Sequence, residues 1–97
     1  MNRDEVMADV RQHRAALEAE GVTHVYLFGS VLHGDARADS DVDLLFDHSI
    51  PRFSLLDYAH LKSVAADLLG REVDFIARAS LHPRLKARVE AEALRIF

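Results

Sequence analysis

Twice in this chain an amphipathic stretch runs into a glycine and gives way at once to a short run of β-forming residues. Residues 2–20 carry Val6, Val10, His13 or Arg14, and Leu17 at i, i+4, i+7 and i+11, and end at Gly21; "THVYLF" follows at 23–28. Residues 54–69 carry Leu55, Tyr58 or Ala59, Leu61 or Lys62, Ala65 and Leu68, and end at Gly70; "EVDFIA" follows at 72–77. A helical period closed by glycine, the residue that enters the left-handed cap at least cost, predicts two helix-to-strand transitions. Between them "DVDLLFD" at 41–47 predicts a further strand, and "HSIPRF" a turn broken at Pro51. Ser54 and Asp57 have the spacing of a capping box at the start of the second long helix. A last helix is expected after Pro83, with Leu85, Val89, Ala93 and Ile96 on one face. A short helical turn over 30–34 and a loop over 35–40 complete the reading.

The order α-β-(turn)-β-α-β-α places the chain in the α/β (α+β) class: a small mixed sheet backed by helices on one face. With 97 residues the expectation is a single domain over 1–97. A formal net charge of −4 argues against sequence-independent nucleic-acid binding, which needs a basic surface to release counterions. The chain has no cysteine, so thiolate chemistry and disulfides are excluded. No apolar run reaches membrane-span length and residues 1–14 lack a signal-peptide apolar region, so a cytoplasmic location and no membrane partner are expected.

Against this ordinary background, Asp41 and Asp43 interrupt an apolar strand. Strand interiors disfavour Asp, and an unpaired carboxylate is costly to bury. Two apart on a strand, both point to one face while Val42 and Leu44 point to the other. Adjacent carboxylates stay ionised together when a cation lies between them, and Mg²⁺ suits such hard oxygen donors. The third strand supplies Asp74 between Val73 and Phe75. If the second and third strands are neighbours, three carboxylates converge, enough for two ions that clamp a phosphoryl displacement. Each Asp alone has a plainer reading: a turn cap for Asp41, a half-exposed strand position for Asp43, an ion pair with Arg71 or Arg78 for Asp74.

Gly29 and Ser30 stand at the end of the first strand. Glycine lets backbone approach a ligand closely, a serine hydroxyl can donate, and a helical turn starting there would present amides to an anion. A plain strand-to-helix turn with Ser30 as cap is the alternative. Gly29 and Gly34 have the gap of a P-loop, but Asp35-Ala36 stands where that motif requires Lys and a hydroxyl residue, and an Asp there would repel phosphate. The histidines form no His-Glu-x-x-His metal motif.

Taken together, Gly29-Ser30 after a strand, Gly34, "SDVDLL" and the later "VDF" resemble the nucleotidyltransferase superfamily of DNA polymerase β type, in particular its minimal nucleotidyltransferases. The resemblance spans almost the whole chain. It implies that Gly29 and Ser30 hold a nucleoside triphosphate, and that Asp41 and Asp43 ligate two Mg²⁺ ions. Asp74 would complete the metal site and help activate the acceptor hydroxyl, and Ser40 would shape the turn before Asp41. The implied reaction transfers AMP from ATP to a hydroxyl and releases pyrophosphate. Minimal members commonly pair with a HEPN-domain toxin, acting as the antitoxin that adenylylates a toxin tyrosine. The chain departs from the pattern at His33, where many minimal members carry Arg before the second glycine. His33 is cationic only when protonated, which is partial at neutral pH. That departure implies a second expectation, a catalytically weak or inactive nucleotide-binding antitoxin that neutralises its partner by contact. Transfer to RNA or to an aminoglycoside fits less well, since the first sits poorly with the charge and the second normally needs a further domain.

Overall fold

The computed structural model describes residues 3–29 and 42–97. Ser30, Asp41, His33, Gly34 and the turn and loop expected over 30–40 lie outside the described residues. Two helices, α1 (Arg3–Gln12) and α2 (Arg14–Ala19), lead into strand β1 (Val22–Phe28); β2 (Val42–His48), α3 (Leu55–Leu69) and β3 (Val73–Ala77) follow. A 3₁₀ turn (Arg78–Ser80), α4 (Pro83–Glu92) and the short β4 (Leu94–Arg95) complete the order.

The continuous helix expected over 2–20 is broken at His13. In an unbroken helix the His13 amide would donate to the Asp9 carbonyl. Here the His13 side-chain Nδ1 takes that carbonyl at 2.9 Å, and the amide turns to Val10 at 3.1 Å. One carbonyl thus changes donors, and the axis restarts at Arg14. Val6, Val10 and Leu17 nevertheless keep their expected place in the core, joined by Met7.

The expected caps are in place. The Ser54 hydroxyl accepts from the Asp57 amide at 3.3 Å, while the Ser54 amide donates to Asp57 Oδ2 at 2.9 Å. Gly70 closes α3 in the left-handed region at φ 66°. Gly21 also has positive φ, and a Cβ there would lie 2.7 Å from Ile50 Cγ1. Leu61 and Ala65 are buried beneath α3, but Leu55, expected on its apolar side, is 85% exposed.

The sheet has the order β3-β2-β1-β4. β1 runs antiparallel to β2 and β4, and β2 runs parallel to β3, so the sheet is mixed as expected. Its first face carries Val25 and Leu27 from β1, Val42, Leu44 and Phe46 from β2, and Val73, Phe75 and Ala77 from β3, all buried with α1–α3 in one core. Phe46 and Phe75 stack with ring centres 4.3 Å apart.

Two expectations fail at the end of the chain. The face of Leu85, Val89, Ala93 and Ile96 is not one helical face, because α4 ends at Glu92 and residues 94–95 pair with β1. Ile96 is buried from beyond that strand, its amide donating to Val25 O at 2.8 Å, while Leu85 is exposed. Nor are all helices on one side. Leu45 points to the second face yet is buried, and Glu90 and Ala93 border a small cavity of about 180 Å³ with Leu45 and Tyr26. The end of α4 therefore lies against that face beside Tyr26 and Leu45, while Asp43 and Asp74 lie toward its other end.

Candidate active site

β2 and β3 are adjacent and in register, with Asp43 paired to Asp74. In-register positions of neighbouring strands share a face, with the strands about 4.8 Å apart. The two carboxylates therefore stand side by side on the second face, each half-buried. The register is what allows this: Val42 and Leu44 bind β2 to the core on one side, Val73 and Phe75 bind β3, and alternation turns both Asp residues outward together.

On the other flank of β2, Phe28 pairs with Asp43, and Gly29 comes next. Gly29 has φ 87°, and a Cβ there would collide with the Asp43 carboxylate, coming within 2.9 Å of its Cγ. The glycine is thus required twice, once by its backbone angle and once because the carboxylate occupies the space a side chain would take. Across the sheet the row reads Gly29, Asp43, Asp74.

Among the described residues β3 is the edge of the sheet, and a cleft of about 350 Å³ lies between β3 and α3, with Ala59, Lys62, Ser63 and Ala66 on one wall and Glu72 and Asp74 on the other. The alternative pairing of Asp74 with Arg78 is not found. Arg78 instead grips Asp47 through Nε at 2.8 Å and Nη2 at 3.0 Å, and reaches Glu90 at 3.2 Å.

Of the five residues the sequence nominated, the structure brings Gly29, Asp43 and Asp74 together; Ser30 and Asp41 lie outside the described residues. Among the described residues no three potential metal ligands cluster, so the expected three-carboxylate site is represented by two of its members. Their hard oxygen donors suit Mg²⁺.

The nucleotidyltransferase domain family matches residues 10–96. This chain belongs to that family. It is 36% identical over 93 residues to the protein adenylyltransferase MntA of Thermococcus cleftensis, an alignment covering 94% of this chain and 92% of that protein. Its fold superposes on a minimal nucleotidyltransferase structure with a TM-score of 0.79 at 38% identity, covering 97% of this chain and 95% of the other. It also matches a structure of tri-AMPylated Shewanella oneidensis HEPN toxin in complex with its MNT antitoxin, with a TM-score of 0.68. That alignment covers 93% of this chain and 70% of the other, and at 17% identity it is a likeness of fold. The mixed sheet with helices is thus the architecture of minimal nucleotidyltransferases.

A second polar cluster in this nucleotidyltransferase domain was not anticipated. Tyr26 donates to Asp47 Oδ2 at 3.0 Å, and the Arg78 guanidinium lies 5.2 Å from the Tyr26 ring centre. Burial first, then the hydrogen bond to Asp47, pushes the Tyr26 hydroxyl above its ordinary pKa. Hydrogen bonding to Asp47 raises Arg78 further. The parity of Asp43 and Asp47 in "DVDLLFD" was a signal that both share a face; nothing in the sequence joined Asp47 to Arg78. This cluster ties the end of β2 to the 3₁₀ turn and α4. Lys62 and Ser63, which border the cleft, carried no signal of their own.

Proposed function

We propose that the protein is a Mg²⁺-dependent adenylyltransferase that moves AMP from ATP to a hydroxyl, a tyrosine of a cognate HEPN-domain toxin, and thereby serves as the antitoxin. The observation that carries this reading is the row Gly29, Asp43, Asp74 on the second face of the sheet. It is supported by the protein adenylyltransferase relative and by the fold shared with an antitoxin seen beside an AMPylated HEPN toxin. The activity would reside in one domain over 1–97, located in the cytoplasm; among the described residues no helix is long and apolar enough to cross a membrane.

Gly29 and Ser30 would cradle the triphosphate, where glycine admits close backbone approach. Asp43, with Asp41 two residues before it, would hold two Mg²⁺ ions, and Asp74 would complete the set. Bound Mg²⁺ would offset the charge of the phosphates and of the developing transition state. The acceptor oxygen forms its bond to the α-phosphorus, the bond to the bridging oxygen of the β-phosphate breaks, and pyrophosphate leaves with that electron pair. The hydroxyl proton passes to a carboxylate oxygen of Asp74, acting as general base.

The test is to incubate the protein with α-labelled ATP, Mg²⁺ and a cognate HEPN-domain protein. Labelled HEPN protein is the expected result; an unlabelled partner in the presence of folded protein would refute the reading. His33 favours a second reading, neutralisation by contact. In that case Asp43→Ala would still protect cells from the toxin, whereas under transfer protection is lost with the label.

A further inference from the structure

Under the AMP-transfer reading above, the cleft beside Asp74 is left without a role. The layout across the sheet gives it one. In an in-line displacement the attacking and leaving oxygens lie on opposite sides of phosphorus. If pyrophosphate is held at the Gly29 end of the row, the acceptor must approach from the Asp74 end. The β3 edge bounds that end, and the cleft runs along it on the α3 side, with Asp74 among the residues that line it.

Two further features say what kind of acceptor fits. β3 is an edge strand, so among the described residues its outer backbone groups have no strand partner and can pair with an added extended segment. The α3 wall also continues beyond the cleft. Ala59, Lys62, Ser63 and Ala66 fall within about 100° of one another on a 3.6-residue helix. Leu55 and Leu56 flank the same face one turn earlier, and they are 85% and 83% exposed. A small molecule filling the cleft would leave both leucines in water. An extended polypeptide running along β3 from Asp74 would cover them.

We infer that the cleft between α3 and the β3 edge is the acceptor subsite, receiving an extended segment of the acceptor protein along that edge, with alternate side chains turned into the cleft and the hydroxyl residue turned to the second face beside Asp74. This rests on the AMP-transfer reading above. Lys62 and Glu72, on opposite walls, would select a segment carrying complementary charges beside its hydroxyl residue.

Ser63→Trp tests this, since position 63 is exposed on α3 and a larger side chain there fills the cleft without entering the core. Three readouts are needed: affinity for Mg²⁺ with AMP-PNP, the rate of AMP transfer to the HEPN protein, and photo-cross-linking from benzoylphenylalanine introduced at Ser63. The inference predicts unchanged nucleotide affinity, transfer reduced at least ~10-fold, and a cross-link to the HEPN segment that holds the modified residue. Nucleotide affinity falling in step with transfer would make the cleft a nucleobase pocket and overturn the inference. Unchanged transfer, or a failure to cross-link, would overturn it as well. Wild-type protein that transfers no AMP would count against the adenylyltransferase reading alone, because the cross-link still decides where the partner docks.

Discussion

Asp43 and Asp74 occupy paired positions on parallel strands, so two carboxylates separated by 30 residues of chain meet on one sheet face. The pairing depends on both strands burying their alternate residues in the same core. Had β3 slipped by one residue, Val73 and Phe75 would face outward and Asp74 inward. The core that stabilises the sheet therefore also sets the site.

Gly29→Ala should damage both stability and function. Alanine at φ 87° is strained, and its Cβ collides with the Asp43 carboxylate. A loss of more than about 1 kcal/mol is expected in denaturant unfolding. Nucleotide transfer should fall further than stability explains, because the displaced group is the proposed Mg²⁺ ligand.

Arg78→Ala should loosen α4 without touching the active row. It removes a two-pronged grip on Asp47, whose side chain is 20% exposed, and the contact to Glu90. About 1–2 kcal/mol of stability should be lost, partial exposure keeping it below the full cost of an orphaned buried group. Nucleotide affinity should be unchanged when measured at a temperature where the variant is folded.

The cap of α3 gives a pH signature. Hydrogen bonds from the Ser54 amide first, and then its hydroxyl, hold the Asp57 carboxyl below its ordinary value of 3.8. A depressed folded pKa contributes stability above the unfolded value, and that contribution is lost as pH falls through 3.8 toward the folded value. The Tm difference between wild type and Asp57→Asn should thus be largest at neutral pH and shrink on acidification through this window. Ser54→Ala should cost about 1 kcal/mol at neutral pH.

Local signals were legible in the sequence and tertiary ones were not. Gly21, Gly70 and the Ser54–Asp57 box each act within a few residues, and each is found as expected. Strand parity likewise turned Asp43 away from Val42 and Leu44, but that Asp74 joins it on one face depended on β2 and β3 being neighbours, a tertiary fact the sequence left as a condition. The break at His13 turns on one side chain outcompeting a backbone amide, a balance that periodicity does not register. Leu55 and Ile96 were misplaced because helical spacing says which residues share a face, not whether anything covers that face or where the helix ends. The acceptor cleft escaped notice because Lys62 and Ser63 matter only through their position beside the β3 edge.

If the Asp43–Asp74 pair is the catalytic centre of AMP transfer, replacing either carboxylate must slow that transfer. Intact-mass spectrometry of the HEPN protein, after incubation with ATP, Mg²⁺ and either wild type, Asp43→Asn or Asp74→Asn, tests it most directly. Wild type should add the mass of an adenylyl group, AMP less one water. Asp74→Asn should slow that addition by ~10²–10⁴-fold, the usual worth of a general base. Asp43→Asn should slow it by more than the roughly 10–100-fold typical of losing an outer-sphere partner of a metal. Folded variants that modify the partner as fast as wild type would contradict the account.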